Sequence, residues 1–348
     1  MAEDRSAAGI GRYRHQSRGD NPLIVSSAPF RVSFAGGGSD IASYYRRQAG
    51  AVLSCAIAKY SFVIVHNYFN ENKYHLKYTR TELADTLEEI AHPLLREALR
   101  MHRVEPGIEV ASVADIPSGT GLGSSSSFSV ALINALYAHR SRFASKDQLA
   151  EEACKLEIDI LKEPIGKQDQ YAAAHGGLNF IEFNSNGSVN VQPVVLSSEK
   201  MAELESNILL FFTGNQRDTR SVLSTQVQAM EADEEKFRTV EHMVQLSYEM
   251  RDILMGGDLG AFGEALHRGW MMKRSLTSKI TNSTIDEFYE AARAAGAIGG
   301  KLAGAGGGGF LVLYCPRDRQ EKVRQALSQL KEIEFRFDWS GARIAFAQ

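Results

Sequence analysis

The chain has 348 residues, 44% of them hydrophobic, and a net charge of −3. That length points to two domains with a substantial core, and nothing in the near-neutral balance predicts nucleic-acid binding, which shows as a clustered basic surface. No run approaches the roughly 20 apolar residues that span a bilayer, and three sparse cysteines, Cys55, Cys154 and Cys315, exclude a disulfide framework and read as buried thiols in a reducing compartment.

The first 22 residues are polar, rich in Arg, Gly and Ser, and lack the apolar centre of a signal peptide. They read as a disordered tail on a cytoplasmic protein. Order is expected from Leu23, where Phe30, Val32 and Phe34 alternate with Arg31, Ser33 and Ala35. A period of two sends these sets to opposite faces of a sheet and takes Arg31 off the apolar one. Residues 50–69 hold further β-rich runs, 81–102 a helix, and 107–117 another strand. Residues 127–143 are apolar almost all round and predict a buried helix.

Ser145 and Gln148 form a capping box. The helix it opens carries a stripe of Leu149, Ala153, Leu156 and Ile160, with Glu157 at its edge, and ends at Pro164 and Gly166. Residues 176–183 and 188–196 predict a hairpin across Asn-Ser-Asn-Gly. Ser197 to Ser206 reads as a charged linker, dividing the chain into 23–200 and 201–348. Beyond it come a buried strand over 207–214, long helices within 221–255 and 259–273, and a helix from Ser283 with Ile285, Phe288, Tyr289 and Ala292 on one face. A glycine-dense loop, the strand 310–315, and a last helix and strand complete the pattern.

PSGTGLGSSSS, Pro117 to Ser127, carries the strongest chemical signal. It joins a strand to a helix. Its glycines allow a tight turn and close approach to a ligand, and the helix behind offers unpaired N–H groups and the positive end of its dipole. The combination suits phosphate, and the serines add hydroxyls for phosphate oxygens or Mg²⁺. It is neither GxxxxGK[ST] nor GxGxxG, so a Walker loop and a nicotinamide-dinucleotide fold are both disfavoured.

This segment resembles the second motif of the GHMP kinases, the superfamily of galactokinase, homoserine kinase, mevalonate kinase and phosphomevalonate kinase. APFRVSFAGGGSD, Ala28 to Asp40, resembles the first motif, and KLAGAGGGGF, Lys301 to Phe310, the third. The likeness runs from Leu23 to the carboxy terminus. The first motif departs from the galactokinase form, close to GRVNLIGEHTD. Its GGGSD is similar to the branch of heptose 7-phosphate kinases and some fucose kinases, as are RGWMMKRSLTSKITNSTID and GAIGGKLAGAGGGGF.

The resemblance implies an α+β fold: an amino-terminal domain like the second domain of ribosomal protein S5, then a ferredoxin-like domain, with ATP and sugar meeting between them. It implies phosphoryl transfer from ATP, with Mg²⁺, to the anomeric hydroxyl of D-glycero-D-manno-heptose 7-phosphate, in the supply of nucleotide-activated heptose for surface polysaccharide. Fucose and galactose are the alternative acceptors. The partner is a small sugar or sugar phosphate, with a homodimer admitted and no nucleic acid or membrane.

Residue by residue, it implies Asp169 as the group that orients the acceptor hydroxyl and takes its proton, with Arg31 as the fixed cation beside it. Pro117, Gly119, Gly121, Leu122, Gly123, Ser124, Ser125 and Ser126 fall to the ATP phosphates, and Ser124 or Ser125 with Glu157 to Mg²⁺. Gly36, Gly37, Gly38, Ser39, Asp40, Asp169, Gly304, Gly306 and Gly307 fall to the sugar. A 7-phosphate needs a cation, and Arg46, Arg47, Lys273, Arg274, Lys279 and Lys301 lie near the motifs. A non-catalytic sugar and ATP sensor on this fold is the competing reading; it expects Asp169, Glu157 or Arg31 to be replaced, and all three are present.

Overall fold

The computed structural model describes residues 23–214 and 219–348; the tail expected over 1–22 lies outside them. The first half of the chain runs β1 (Ile24–Ala35), the single-turn α1 (Ala42–Tyr45), β2 (Gly50–Asn67), β3 (Tyr74–Lys77), β4 (Thr81–Ala84), α2 (Pro93–Met101), β5 (Ile108–Ala114), α3 (Ser124–His139), α4 (Lys146–Cys154), α5 (Gln168–His175), β6 (Leu178–Phe183) and β7 (Val189–Pro193). The second runs α6 (Ser198–Asn207), β8 (Ile208–Phe212), α7 (Thr219–Ala232), α8 (Glu234–Gly256), α9 (Leu259–Arg274), α10 (Ser283–Ala294), β9 (Gly299–Leu302), β10 (Phe310–Tyr314), α11 (Gln320–Ala326), β11 (Lys331–Ile333) and β12 (Arg343–Ala347).

Among the described residues the first sheet has eight strands, ordered β12-β1-β2-β5-β3-β4, with β6 on β2 and β7 on β6. β2 is long enough to serve two neighbours, pairing with β6 over Gly50–Cys55 and with β5 over Ser61–Asn67. Along the β1–β2 ladder the register shifts between Pro29 and Phe30, where proline has no N–H to give the ladder. The second sheet is antiparallel, ordered β11-β8-β10-β9. With helices between β8 and β9 and between β10 and β11 it is a ferredoxin-like split βαββαβ unit. The all-apolar ILLFF of β8 and FLVLY of β10 form its centre. β12 returns to the first sheet beside β1, and α6 crosses residues 200 and 201.

Phe30, Val32 and Phe34 are buried in a cluster continuous with Phe262, Trp270 and Leu311 of the second half, and Phe34 meets Phe262 edge to face at 5.3 Å. Val63, Val110, Val130, Leu132 and Leu136 form a second cluster under α3. The alternation in β1 therefore anchors one face of the strand and leaves Arg31 and Ser33 to line a cleft.

Several sequence expectations are corrected. The helix expected over 81–102 begins only at α2, with Pro93 in its first turn and His92 capping Leu95 N. Thr81–Ala84 instead pairs with β3, and Glu82 accepts from Ala91 N at 2.6 Å, so cross-strand pairing overrides local helix propensity. The expected linker is α6, capped by Ser197 and anchored by the buried Leu204. The helix expected within 221–255 is two, broken at Asp233, whose carboxylate caps α8. Only half of the capping box forms. Ser145 Oγ accepts from Gln148 N at 3.1 Å, while the Gln148 amide is drawn to Tyr137 and Glu152. The glycine-dense loop is preceded by β9, whose Gly300 leaves no room for a side chain against Val312. Cys55, Cys154 and Cys315 are buried free thiols. Among the described residues no helix is long and apolar enough to cross a membrane.

Candidate active site

The cleft encloses about 420 Å³ and is walled by all three motifs. Its floor is the turn before α3. Gly119, Gly121 and Gly123 all have positive φ, at 78°, 82° and 77°. Gly123 is the N-cap of α3 and brings no side chain to the helix end, so the first-turn N–H groups are left for a ligand. Ser124, Ser125 and Ser126 line the same space. Leu122, fully buried, anchors the turn, and its carbonyl accepts from Arg31 N at 3.0 Å. Pro117 is exposed and does not line the cavity.

The third motif braces this turn from behind. A Cβ on Gly121 would lie 2.6 Å from Ala303 O, and one on Gly304 would lie 2.6 Å from Gly121 Cα. The two loops touch backbone to backbone, which only glycine permits. Gly304 also lines the cavity. Gly306 and Gly307 pack on Ile280 instead, Gly307 N donating to Ile280 O at 2.8 Å.

Helix α5 opens with Gln168, Asp169 and Gln170. Successive helical residues point about 100° apart, and these three reach three different groups. Gln168 donates from its backbone N and its amide to Asp40, at 3.2 and 3.0 Å. Asp169 takes a two-point bond from Arg31, Nε to Oδ1 at 2.7 Å and Nη2 to Oδ2 at 2.8 Å. Gln170 donates to Glu157 Oε2 at 2.7 Å. Arg31 also donates to Gly121 O at 2.6 Å, so one guanidinium ties the acid to the glycine turn. A bidentate fork fixes the carboxylate plane, and Asp169, lining the cavity, keeps lone pairs for a further donor.

Asp40 is buried at the other wall, accepting from Gly38 N at 3.0 Å. Burial first, then the charge of Asp169, raises its pKa, against the pull of the backbone donors. Gly37 and Gly38 line the cavity, whereas Gly36 and Ser39 shape the loop: Gly36 packs on Ala51 O, and Ser39 Oγ donates to Gly36 O at 2.7 Å.

Glu157 lies in a π-helical turn, Lys155–Ile160, that continues α4. The wider turn rotates the residues after Leu156 relative to a regular helix. Ile160, expected on the apolar stripe, is 38% exposed, while Glu157 is turned inward to 1%. Its carboxylate accepts from Ser125 Oγ at 2.8 Å and from Gln170. Burial pushes its pKa up, against the bonds from Gln170, Ser125 and Ser126.

Two lysines complete the far wall. Lys273, in the last turn of α9, is 4% exposed, and Lys301, in β9, is 5% exposed. Lys273 Nζ donates to Gly304 O, and Lys301 Nζ to Phe34 O at 3.3 Å. Burial, with the charge of Arg31 next, lowers the Lys273 pKa to about 8; burial and then Lys273 itself hold Lys301 well below the usual value. A cation at a helix carboxy terminus gains about 0.3–1 kcal/mol, less than the several kcal/mol that burying an ammonium costs. Helix capping alone therefore does not account for Lys273. The other basic candidates lie off the cavity: Arg47 pairs with Glu234 at 3.2 Å and covers Phe237, Arg274 pairs with Asp286 at 3.0 Å, Lys279 donates to Thr225 at 3.0 Å, and Arg46 is exposed.

Sequence reasoning did not single out Gln168, Gln170, Gln226, Ser33, Glu163 or Arg220 as cavity or network residues. Gln168 and Gln170 were detectable as a polar triplet with Asp169 directly before the apolar YAAA. Arg220 and Glu163, which pair across the cleft mouth, carry no local signal.

An anion cradle on a helix end, beside an acid held by a guanidinium in a two-domain cleft, defines a phosphoryl-transfer enzyme. The GHMP kinases N terminal domain matches residues 85–177 and the GHMP kinases C terminal domain matches residues 248–332, and the chain belongs to the GHMP kinases. It is a sugar kinase of that family, with ATP as co-substrate. It is 28% identical over 316 residues to a D-glycero-alpha-D-manno-heptose 7-phosphate kinase of Campylobacter jejuni, covering 87% of this chain and 93% of that one. It is 25% identical to a bifunctional fucokinase/GDP-fucose pyrophosphorylase of Arabidopsis thaliana, over 90% of this chain and 32% of that one. The crystal structure of a D-glycero-D-manno-heptose 1-phosphate kinase from Bacteriodes thetaiotaomicron superposes with a TM-score of 0.76 at 27% identity, over 92% of this chain and 98% of that one.

Proposed function

We propose that this kinase phosphorylates the anomeric hydroxyl of D-glycero-D-manno-heptose 7-phosphate, giving the 1,7-bisphosphate for nucleotide-activated heptose, in the cytoplasm. The Arg31–Asp169 fork placed between the glycine turn and the GGGSD loop supports the kinase chemistry, and the similarity to the heptose 7-phosphate kinase over 87% of this chain supports the acceptor. The two heptose kinases it resembles agree on a phosphorylated heptose and differ over which phosphate the named substrate bears.

In this mechanism the glycine turn and the N–H groups of α3 hold the ATP phosphates. The backbone of Gly37 and Gly38 and the Asp40 wall position the sugar. Asp169 orients the acceptor oxygen and takes its proton as that oxygen bonds to the γ-phosphorus and ADP leaves. Arg31 fixes the acid and stabilises charge developing on the transferring group. The preformed geometry supplies placement, which is most of what phosphoryl transfer demands of a protein.

Mg²⁺ fits the oxygens of Ser125 and Glu157. Both are hard donors 2.8 Å apart at the phosphate end of the cleft, and a cation offsets the burial that raises the Glu157 pKa. Two protein oxygens plus phosphates and water are a normal magnesium set; bound there, the ion neutralises phosphate charge. Glu157→Gln is expected to raise the Mg²⁺ concentration for half-maximal rate about tenfold or more, about 1.4 kcal/mol. A Mg²⁺ titration of ADP release checks this, and an unchanged midpoint removes Glu157 from the metal site.

The acceptor is tested by coupled ADP release over a panel of heptose, heptose 7-phosphate, heptose 1-phosphate, fucose and galactose, with the product position assigned by ³¹P NMR. The expected result is highest kcat/KM for heptose 7-phosphate and a new anomeric phosphate. Highest kcat/KM for fucose or galactose replaces the acceptor, and a phosphate added elsewhere than C1 replaces the position.

A further inference from the structure

Among the described residues the cleft holds four acids, and each is engaged. Arg31 takes Asp169, the GGGSD loop and Gln168 take Asp40, Ser125 and Gln170 take Glu157, and Arg220 takes Glu163. Lys273 and Lys301 line the same cleft, nearly buried, yet among the described residues neither has a carboxylate within 4.0 Å, and the hydrogen bonds of each go to a backbone carbonyl. A carbonyl satisfies one ammonium proton and leaves the other donors free for a ligand; Asp40 and Asp169 act on Lys273 only through space, and among the described residues no acid offsets Lys301. Two such cations on neighbouring elements, α9 and β9, face the cavity.

We infer that Lys273 and Lys301 form a two-cation seat for a phosphate group inside the cleft. The seat deepens the sugar-kinase reading and rests on it. Phosphate enters this cleft from two sources: the acceptor, if it is already a sugar phosphate, and the transferring γ-phosphoryl group. Either brings anionic oxygens to the ammonium donors that the backbone carbonyls leave free. Lys273 also binds the carbonyl of Gly304, which abuts Gly121, so the seat is joined to the loop that braces the ATP phosphates.

Lys273→Met and Lys301→Met separate these cases in a steady-state assay with heptose and heptose 7-phosphate as acceptors. A tenfold or greater rise in KM for heptose 7-phosphate, with KM for heptose and ATP within twofold, assigns the seat to the acceptor's phosphate. A tenfold or greater fall in kcat with both acceptors at unchanged KM assigns it to the transferring group. Both parameters within twofold in both variants overturn the seat. Inorganic phosphate gives a readout independent of turnover. It is expected to raise the Tm of the wild-type chain more than that of either Met variant, with Lys→Arg at each position restoring the shift; equal shifts in all chains overturn the seat. Should the wild-type chain turn over neither acceptor, the heptose reading falls and the phosphate-induced shift still decides the lysines.

Discussion

Asp169→Asn is expected to lower kcat by about 10²–10⁴-fold, the range for removing a positioned general base, while calorimetry still records ATP binding. The amide keeps the shape of the carboxylate but cannot take the acceptor proton. It also gives up one arm of the fork from Arg31. Losing a hydrogen bond to a charged group costs about 1.5–3 kcal/mol, so some loss of Tm accompanies the loss of rate. Arg31 retains Gly121 O at 2.6 Å, which keeps the guanidinium in place. Arg31→Lys is the companion test: it keeps the charge and loses the planar fork. A smaller loss of kcat than in Asp169→Asn is expected. Near-normal turnover of Asp169→Asn removes this residue as the base; a kcat in Arg31→Lys as low as in Asp169→Asn makes carboxylate orientation, rather than proton transfer, the dominant role of the pair.

The strands were legible where side-chain alternation and burial point the same way. Phe30, Val32 and Phe34 face the core, and Arg31 is on the other side, because a period of two has only one way to satisfy a half-apolar strand. The runs that became β8 and β10 were legible because they are apolar over only five residues, ILLFF and FLVLY, too short for a buried helix, whereas the longer apolar run of α3 is helical. The failures share a cause. Thr81–Ala84 has the composition of a helix and is held as a strand by its partner β3, a contact no local window contains. The expected linker over 197–206 is polar on most positions, and the single buried Leu204 with the Ser197 cap is enough to make it helical against the second half. The strand β9 was hidden because Gly299 and Gly300 carry no propensity signal; their absence of side chains is what lets helix α9 and β10 approach.

At the site, motif order was sufficient to name the residues the cleft brings together: Arg31, Asp40, Glu157, Asp169 and the serines of α3. The arrangement among them was not. Glu157 was read from the edge of a regular helical stripe, whereas a π-helical turn carries it inward, and nothing in KLEIDI announces that extra residue per turn. Lys273 and Lys301 are ordinary lysines in sequence. Their meaning comes from burial without a carboxylate, which depends on residues from β1, α9 and the third motif meeting in space.

The paired glycine loops give the second large effect. Gly121→Ala is expected to lower both Tm and ATP affinity, the latter by tenfold or more, whereas Gly119→Ala is expected to be mild. Both glycines have nearly the same φ, 82° and 78°, so the backbone strain of an L-residue, about 1–2 kcal/mol, is common to the two. The space differs. A Cβ at Gly119 meets nothing within 4 Å, while one at Gly121 sits 2.6 Å from Ala303 O and 3.1 Å from Ala303 C. Those are backbone atoms and cannot rotate away, so the turn must lift off the third motif. Lifting it draws Gly121 O from Arg31 and displaces the N–H groups at the start of α3. Thermal unfolding and calorimetry with a non-hydrolysable ATP analogue read the two effects separately. If both variants lose Tm and affinity equally, φ strain alone governs the turn and the bracing contact with Gly304 has no part in nucleotide binding. If Gly121→Ala alone loses affinity, the third motif works by holding the second in shape.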